Sequence, residues 1–146
     1  MLFRYEKLYI ITRRDLKPGL QAAQVAHAAF HFTYEHRPLA LQWLQESNFL
    51  IILSAADEQE LKSYGKLAED LNLPVSWFHE PDINNELTAI AIAPSPVTVE
   101  LCSDLPLALR EYVLGPPEDV TLTYTVERPS HDRMVIDIRG LSKEIS

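Results

Sequence analysis

Residues 7–30 read KLYIITRRDLKPGLQAAQVAHAAF, and the change of pattern inside this run determines the fold class. Residues 7–12 are β-branched and aromatic and can be buried on both faces, which is typical of a parallel strand inside a sheet. Pro18 and Gly19 mark a break, and from Leu20 onward apolar and alanine residues recur at helical spacing. The run predicts a central strand, a polar turn and a helix whose small residues allow close packing on a sheet.

The alternation of strands and helices continues as far as Pro94. Pro38 breaks or restarts the first helix. The elements predicted after it are a helix at 39–46, a strand at 49–55, an amphipathic helix at 57–71, and strands at 75–79 and 87–93. Alternating strands and helices imply parallel pairing through right-handed crossovers, whereas the short link between the last two strands favours an antiparallel pair. The predicted fold is α/β, with three α/β/α layers around a mixed, mostly parallel four-stranded sheet.

The last third of the chain has a weaker pattern. Residues 105–112 are compatible with a helix, and the alternating segments 120–126 and 134–138 are compatible with a β-hairpin. A Gly-Pro-Pro run at 115–117 separates the hairpin from what precedes it. We therefore predict two parts, an α/β domain at 1–114 and a C-terminal extension at 115–146.

The charge distribution limits the functions that are possible. Thirteen basic and twenty-one acidic residues give a formal net charge of −8. Phosphate binding depends on lysine and arginine displacing counterions, so this charge argues against a protein that coats nucleic acid without discrimination. Five of the thirteen basic residues nevertheless lie in the first seventeen positions. The sequence therefore predicts a local basic edge on an acidic body.

The cysteine count and the N-terminal sequence indicate the compartment. Cys102 is the single cysteine, so no internal disulfide can form and no thiolate cluster is available for zinc. The first apolar run, at 8–12, is too short for a signal peptide or a membrane span. We expect a soluble protein of the reducing cytoplasm that does not act at a membrane.

The predicted topology indicates where a ligand binds. In open α/β sheets, ligands bind beyond the carboxyl ends of the parallel strands. The loop after the first strand, the end of the third strand and the start of the fourth should meet there. Their polar and turn residues are Arg13, Arg14, Asp15, Lys17, Gly19, His79, Glu80, Asp82, Asn85, Glu86 and Thr88. Free backbone N–H groups at the start of the first helix favour an anion beside these basic side chains, so we expect a solvent-accessible, anion-binding cleft.

The run at 14–28, RDLKPGLQAAQVAHA, resembles the signature of the type II peptidyl-tRNA hydrolases, in which an R-x-D-L turn leads into an A-A-Q-x-x-H-A helix. The resemblance recurs downstream. Leu-Pro-Val at 73–75 is similar to the entry to the family's third strand, 88–94 to its T-V-L-A-I-G-P strand, and 101–109 to its L-T-G-x-L-P-L-L ending. It covers residues 7–109 and leaves the C-terminal extension outside.

Two segments depart from the family pattern. The family's loop before the helix usually reads M-G-K-G-K-I, whereas this chain has only Pro-Gly-Leu-Gln at 18–21, which leaves Lys17 and the neighbouring arginines as the cations there. The family also carries an aspartate in an R-D-A-G turn after the third strand, where this chain has Glu80-Pro81-Asp82. Glu80 aligns better from the strand, and Asp82 keeps the residue type, so either acid can take that place.

The resemblance implies an activity and partners. The family cuts the ester between a peptide, or an N-blocked amino acid, and the 3′ ribose of tRNA. We therefore expect a peptidyl-tRNA hydrolase that uses water as its nucleophile and needs neither a metal ion nor a cofactor. Its expected partners are peptidyl-tRNA and, following the family's habit, a second copy in a homodimer. Cys102 lies outside the cleft and no G-x-S-x-G elbow is present, so an acyl-enzyme lacks sequence support.

The resemblance also implies roles for single residues. Glu80 or Asp82 would orient or deprotonate the water, while Thr88 and Lys17 would position the ester and its developing oxyanion. The predicted catalytic residues are Lys17, Glu80, Asp82, Thr88 and His27. The predicted substrate-binding residues are Arg13, Arg14, Asp15, Gly19 and Gln24, with Arg13, Arg14 and Lys17 on phosphates. His27 and His31 have the i, i+4 spacing that can bind a metal ion, but no H-E-x-x-H pattern or further ligand accompanies them. No metal site is therefore predicted.

Structural roles and other functions are alternatives to this hypothesis. His27 can be a packed, hydrogen-bonded histidine, and Asp15 can cap the turn before the helix. Gln24 can make hydrogen bonds within the fold, and Thr88 can simply be a β-former. For the whole chain, the shortened loop and the acidic charge favour a non-catalytic relative that binds RNA or a protein partner. A hydrolase or transferase acting on another small ester in the same cleft is a third possibility, since a fold does not specify a function.

Overall fold

The computed structural model describes residues 6–109 and two strands nearer the C-terminus. The elements in chain order are β1 (Lys7–Arg13), α1 (Pro18–Glu35), α2 (Arg37–Glu46), β2 (Phe49–Ala55), α3 (Glu58–Asp70), β3 (Val75–Glu80), a 3₁₀ turn (Pro81–Ile83), β4 (Glu86–Ile92), α4 (Pro96–Leu101), β5 (Thr123–Glu127) and β6 (Arg133–Asp137). The chain divides into two units, Met1–Tyr112 and Val113–Ser146. The predicted domain boundary after residue 114 stays a prediction.

The helix ends follow local capping chemistry. Pro18 lies in the first turn of α1, where its missing N–H removes no intrahelical hydrogen bond. Asp57 caps α3 by accepting a hydrogen bond from the Glu60 N–H at 2.9 Å. The short α4, which the sequence pattern did not reveal, begins where Ser95 Oγ accepts from the Val97 N–H. Within residues 6–109, no helix combines the length and the apolar character that crossing a bilayer requires.

The first unit contains a four-stranded sheet in the order β2-β1-β4-β3. β1 and β2 run parallel, in register from Lys7 opposite Phe49 to Arg13 opposite Ala55. β4 is antiparallel to both β1 and β3. β1, β2 and β3 therefore point the same way, but only one adjacent pair is parallel, because the chain returns from β3 through a short loop and β4 lies between β3 and β1. The predicted α/β class with a mixed sheet is confirmed.

The helices cover both faces of this sheet. On one face α1 and α2 pack over a core that includes Ile10, Phe32 and Ala91, all of which are fully buried. On the other face α3 and the segment after α4 cover a second core around Leu61 and Ile90. The two cores meet only through the sheet, which gives the predicted three layers. The carboxyl ends of β1 and β3 lie at the same edge, because these strands run in the same direction.

Two C-terminal predictions had different outcomes. A helix at 105–112 is wrong for the described residues 105–109, because Pro106 and Ala108 instead bond along the outer edge of β2. The Ser54 N–H donates to the Pro106 carbonyl at 2.9 Å, and the Ala108 N–H donates to the Ile52 carbonyl at 3.0 Å. Residues 110–112 lie outside the described part. The predicted hairpin is confirmed as β5 and β6, an antiparallel pair.

Candidate active site

A β-bulge at Thr88 turns the side chain of this residue toward α1, near the start of β4. Along β4 and β3, Phe78 pairs with Ala89, but the next pair is His79 with Leu87. Thr88 is therefore an extra residue on β4. Leu87 packs in the core under α3 and Ala89 in the core under α1, and the side chain of Thr88 reaches α1 as well. The bulge places a hydroxyl on the α1 side at a position where regular alternation would turn it away.

A chain of hydrogen bonds joins this hydroxyl to a carboxylate. Thr88 Oγ1 donates to Gln24 Oε1 at 2.6 Å, and Gln24 Nε2 donates to Glu80 Oε1 at 3.1 Å. A carboxylate can only accept, so Glu80 fixes which end of the Gln24 amide faces it and thereby makes Thr88 the donor. Thr88 and Gln24 are fully buried, whereas Glu80, the last residue of β3, is half-buried. The arrangement holds one carboxylate in a defined orientation at the rim of the sheet.

The helix α1 supplies Gln24 because its buried stripe contains two amides. Gln21, Gln24, Val25, Ala28 and Phe32 form the buried face of this helix. A buried amide must find hydrogen-bond partners to offset the loss of water, and Gln24 finds one for each end. Gln21 Nε2 donates to the Leu16 carbonyl at 2.7 Å, and its Oε1 has no partner among the described residues. The first turns of α1 are therefore tied to the loop after β1 and to the ends of β3 and β4.

A buried guanidinium fixes the start of β4 from the opposite side. Arg13, at the end of β1, is 6% exposed. Its Nε and Nη2 donate to the two carboxylate oxygens of Asp15 at 2.9 and 2.8 Å. Its Nη1 donates to Glu86 Oε1 at 2.7 Å and to the Leu87 carbonyl at 3.1 Å. The hydrogen bond from Arg13 lowers the pKa of Asp15, although burial opposes this. The guanidinium is thus engaged with its own chain, and Arg13 acts as a brace between β1 and β4.

Two more side chains, Thr12 and Glu58, hold the bulge, and sequence reasoning missed both. Thr12 Oγ1 donates to the Thr88 carbonyl at 2.9 Å. Glu58, in the first turn of α3, accepts from the Leu87 N–H at 2.7 Å. Glu86 belonged to the predicted cleft but not to the predicted site residues. The hydrogen bond of Glu58 with Leu87 joins positions 29 residues apart, and that of Glu86 with Arg13 joins positions 73 residues apart. No local sequence pattern could reveal either contact.

Four of the remaining predicted residues lie at the rim of the cleft, where three are exposed and one is half-buried. Lys17 is the exposed N-cap residue of α1, and its own side chain makes no capping hydrogen bond. Arg14 is half-buried and donates to the Ser54 carbonyl at 3.1 Å. Gly19 is exposed, and a Cβ there would meet open space, so packing does not demand glycine. Asp82 is exposed in the 3₁₀ turn, and within residues 6–109 its carboxylate has no hydrogen bond or ion pair.

His27 lies one helical turn beyond Gln24, on the exposed surface of α1. Its ring stacks on Phe78, with centroids 4.5 Å apart and an interplanar angle of 15°. His31 also contacts Phe78, at 5.3 Å and a tilted angle of 47°. Within the described residues, no group of three or more histidine, cysteine or acidic side chains is arranged to hold a metal ion.

The structure corrects one expectation about the cleft. Thr88 was expected to be solvent-accessible and is fully buried, because the bulge turns it under α1. Glu80 and Asp82 lie at the surface as expected, with Glu80 beside Gln24 and Asp82 apart from that hydrogen-bonded chain. The exposed cations of the rim are therefore Lys17 and, in part, Arg14.

Comparisons with known proteins match the part of the chain that forms this site. A model of the family described as Peptidyl-tRNA hydrolase PTH2 matches residues 6–103. A Peptidyl-tRNA hydrolase from Staphylothermus marinus is 33% identical over 100 residues, which cover 62% of this chain and 83% of that protein. Proteins of the same name from Thermococcus onnurineus and Thermococcus sibiricus are 30% and 32% identical, and each match covers 65% of this chain and 88% of the relative.

Proposed function

This chain belongs to the peptidyl-tRNA hydrolase PTH2 family, and we propose that it hydrolyses the ester between a peptide, or an N-blocked amino acid, and the 3′ ribose of tRNA. One structural observation carries the mechanism. The hydrogen-bonded chain from Thr88 through Gln24 to Glu80 presents an oriented carboxylate at the edge where ligands bind in sheets of this kind.

Glu80 is the general base in this mechanism. Gln24 occupies Oε1 of the carboxylate, and Oε2 accepts a proton from the attacking water. The water oxygen bonds to the ester carbon, the bond to the 3′ oxygen then breaks, and Glu80 returns the proton to that leaving oxygen. Positioned proton transfer typically contributes on the order of 10²–10⁴-fold in rate. Glu80 is preferred to Asp82 because only Glu80 contacts Gln24, while Asp82 lies in the exposed turn.

The first turn of α1 stabilises the negative charge. Pro18 has no N–H, and the Lys17 side chain makes no capping hydrogen bond, so within residues 6–109 the N–H groups of Gly19 and Leu20 are available to an oxyanion or a phosphate. Leu20 precedes Gln24 by four residues, about 6 Å along the helix axis. Lys17 adds a flexible positive charge at the same end. An oxyanion donor of this kind contributes about 10²–10³-fold in rate.

Thr88 and Arg13 serve as positioning residues in this proposal. The Thr88 hydroxyl gives its proton to Gln24 and is buried, so it acts on the ester through Gln24 and Glu80. Arg13 holds the start of β4, and its guanidinium donates its hydrogen bonds to Asp15, Glu86 and Leu87. The tRNA phosphates would therefore bind Arg14 and Lys17. Replacing Arg14 and Lys17 with alanine should weaken tRNA binding and flatten its salt dependence, because fewer counterions are released. An unchanged salt slope would place the tRNA site elsewhere.

The finer parts of the proposal concern partners and compartment. We propose action in the cytoplasm on peptidyl-tRNA, without a metal ion or a cofactor. We also propose a homodimer, for which the apolar side chains of Leu41 and Leu44 on α2 and Leu50 on β2 are exposed. Sedimentation at several concentrations tests the dimer, and a monomer at micromolar concentration contradicts it.

One assay tests the hydrolase function. The purified full chain, in buffer with EDTA, is mixed with N-acetyl-aminoacyl-tRNA, and free tRNA is measured over time. We expect turnover that is lost in Glu80→Gln and retained in Asp82→Asn. The absence of release above the buffer rate at high protein concentration would contradict hydrolysis and leave a non-catalytic RNA-binding relative as the alternative.

A further inference from the structure

Three aromatic rings form a platform next to the proposed catalytic carboxylate. His27 stacks flat on Phe78, and His31 tilts onto the same phenyl ring. Phe78 itself is buried, whereas both imidazoles are exposed. We infer that this platform, formed by His27 and His31 over Phe78, is the subsite that stacks the base of the 3′-terminal adenosine of tRNA. The inference rests on the proposed function, because it places the base relative to the ester.

The platform and the proposed catalytic carboxylate lie on the same two elements, α1 and β3. Phe78 precedes Glu80 by two residues on β3, and His27 follows Gln24 by three residues on α1, about 4.5 Å along the helix axis. Gln24 contacts Glu80 just as His27 contacts Phe78. The platform therefore follows the Gln24–Glu80 contact along the line where α1 packs on β3. In peptidyl-tRNA a single ribose carries both the ester and the terminal base, so a base on the platform keeps the ester near Glu80.

The platform is also open to a ligand. One face of the His27 ring covers Phe78, and His27 is an exposed residue, so we place the opposite face of the ring toward solvent. The neighbouring exposed residues of α1 toward its N-terminus are small: Ala22, Ala23 and Ala26. Between the half-buried Leu20 in the first turn and His27, no exposed residue of α1 is larger than alanine. Stacking on aromatic rings is a common way for proteins to hold single-stranded nucleotides.

This assignment gives His27 a role that differs from proton transfer. A stacking ring needs a flat aromatic face, whereas an acid or base needs the imidazole nitrogens. His27→Phe keeps the first property and removes the second, while His27→Ala removes both. The pair therefore separates the two roles. Tyr34→Ala is the matched control, because Tyr34 is an 87% exposed aromatic residue on the same helix, about 10 Å farther along the axis.

The experiment measures kcat and KM with N-acetyl-aminoacyl-tRNA for the wild-type chain and these three variants. Each is also measured on a charged tRNA whose terminal nucleotide lacks its base. On the intact substrate we expect His27→Ala to raise KM about tenfold with kcat unchanged, because stacking contributes equally to the ground and transition states. His27→Phe and Tyr34→Ala should match the wild type. On the substrate without the base, all four proteins should have the same KM.

Three outcomes overturn the subsite: an unchanged KM in His27→Ala, a loss that persists on the substrate without the base, or a failure of His27→Phe to restore binding. The function and the subsite fail separately. If the wild-type chain releases no tRNA, the hydrolase function is wrong, and fluorescence anisotropy with uncharged tRNA then decides the subsite. Tighter binding of tRNA that keeps its terminal adenine, lost in His27→Ala, supports it, and equal binding of the two tRNAs refutes it.

Discussion

Two buried threonines allow the site chemistry to be separated from stability. Thr88 Oγ1 donates to Gln24 Oε1 at 2.6 Å, and Thr98 Oγ1 donates to the Ala93 carbonyl at 2.7 Å. Both side chains are fully buried. Threonine to valine keeps the shape, removes the donor and leaves a buried acceptor without a partner. We expect each variant to lower the free energy of unfolding by about 1–3 kcal/mol. Only Thr88→Val should also lower kcat, by at least about tenfold, equivalent to about 1.4 kcal/mol of activation free energy.

The measurements are urea unfolding for stability and initial rates of tRNA release per folded molecule. In a double-variant cycle, Gln24→Leu combined with Thr88→Val should destabilise less than the sum of the single changes, because both buried partners are then removed together. The reasoning fails if Thr98→Val lowers kcat as much as Thr88→Val does. It also fails if Thr88→Val is as active as the wild type, since the hydroxyl would then not orient Glu80 through Gln24.

Three further predictions follow from burial and contacts. Glu80→Gln should lower kcat at least tenfold, equivalent to about 1.4 kcal/mol, whereas Asp82→Asn should leave rate and stability within about ±0.5 kcal/mol; the reverse result would identify Asp82 as the base. Gly65→Ala should destabilise by about 1–3 kcal/mol in urea unfolding, because the new methyl group would overlap the Trp77 ring; equal or greater stability would show that the ring moves aside freely. Burial raises the pKa of the Cys102 thiol to about 12, so a thiol reagent at pH 8 should label it only after unfolding, and rapid labelling of the folded protein would contradict its burial.

The sequence predicted most of the fold because its elements have strong local patterns. The Lys7–Arg13 strand has apolar residues on both faces, and α3 carries a clear apolar stripe. The sequence alone therefore predicted which residues of these two elements are buried. The order of strands was harder to predict. A short link shows that β3 and β4 pair, but it does not show that β4 also pairs with β1 and so separates β3 from the parallel pair. The helix expected at 105–109 failed for a related reason, because the open edge of β2 recruits that segment through two backbone hydrogen bonds.

The site residues were predictable by type but not by environment. The motif around Gln24 and the strand beginning near Thr88 pointed to two segments that the structure joins by a hydrogen bond. The resemblance and the local positive charge, however, suggested phosphate contacts for Arg13, and neither reveals a partner such as Glu86, 73 residues away. The burial of Thr88 depends on one extra residue in the register of β4, which leaves no mark in an apolar segment. Long-range pairing and register are tertiary properties, and these are where the sequence reasoning stopped.

The contacts at the start of β4 explain how a site with few cations can still be well defined. β1 holds this segment through Thr12 and Arg13, α3 holds it through Glu58, and α1 holds it through Gln24. These elements belong to all three layers, so the bulge cannot shift without moving both the sheet and the helices packed on it. Close-packed protein interiors resist such displacement. The orientation of Glu80 therefore depends on the folded core, and in the proposed mechanism the exposed charges of the rim serve only to attract and hold an anionic substrate.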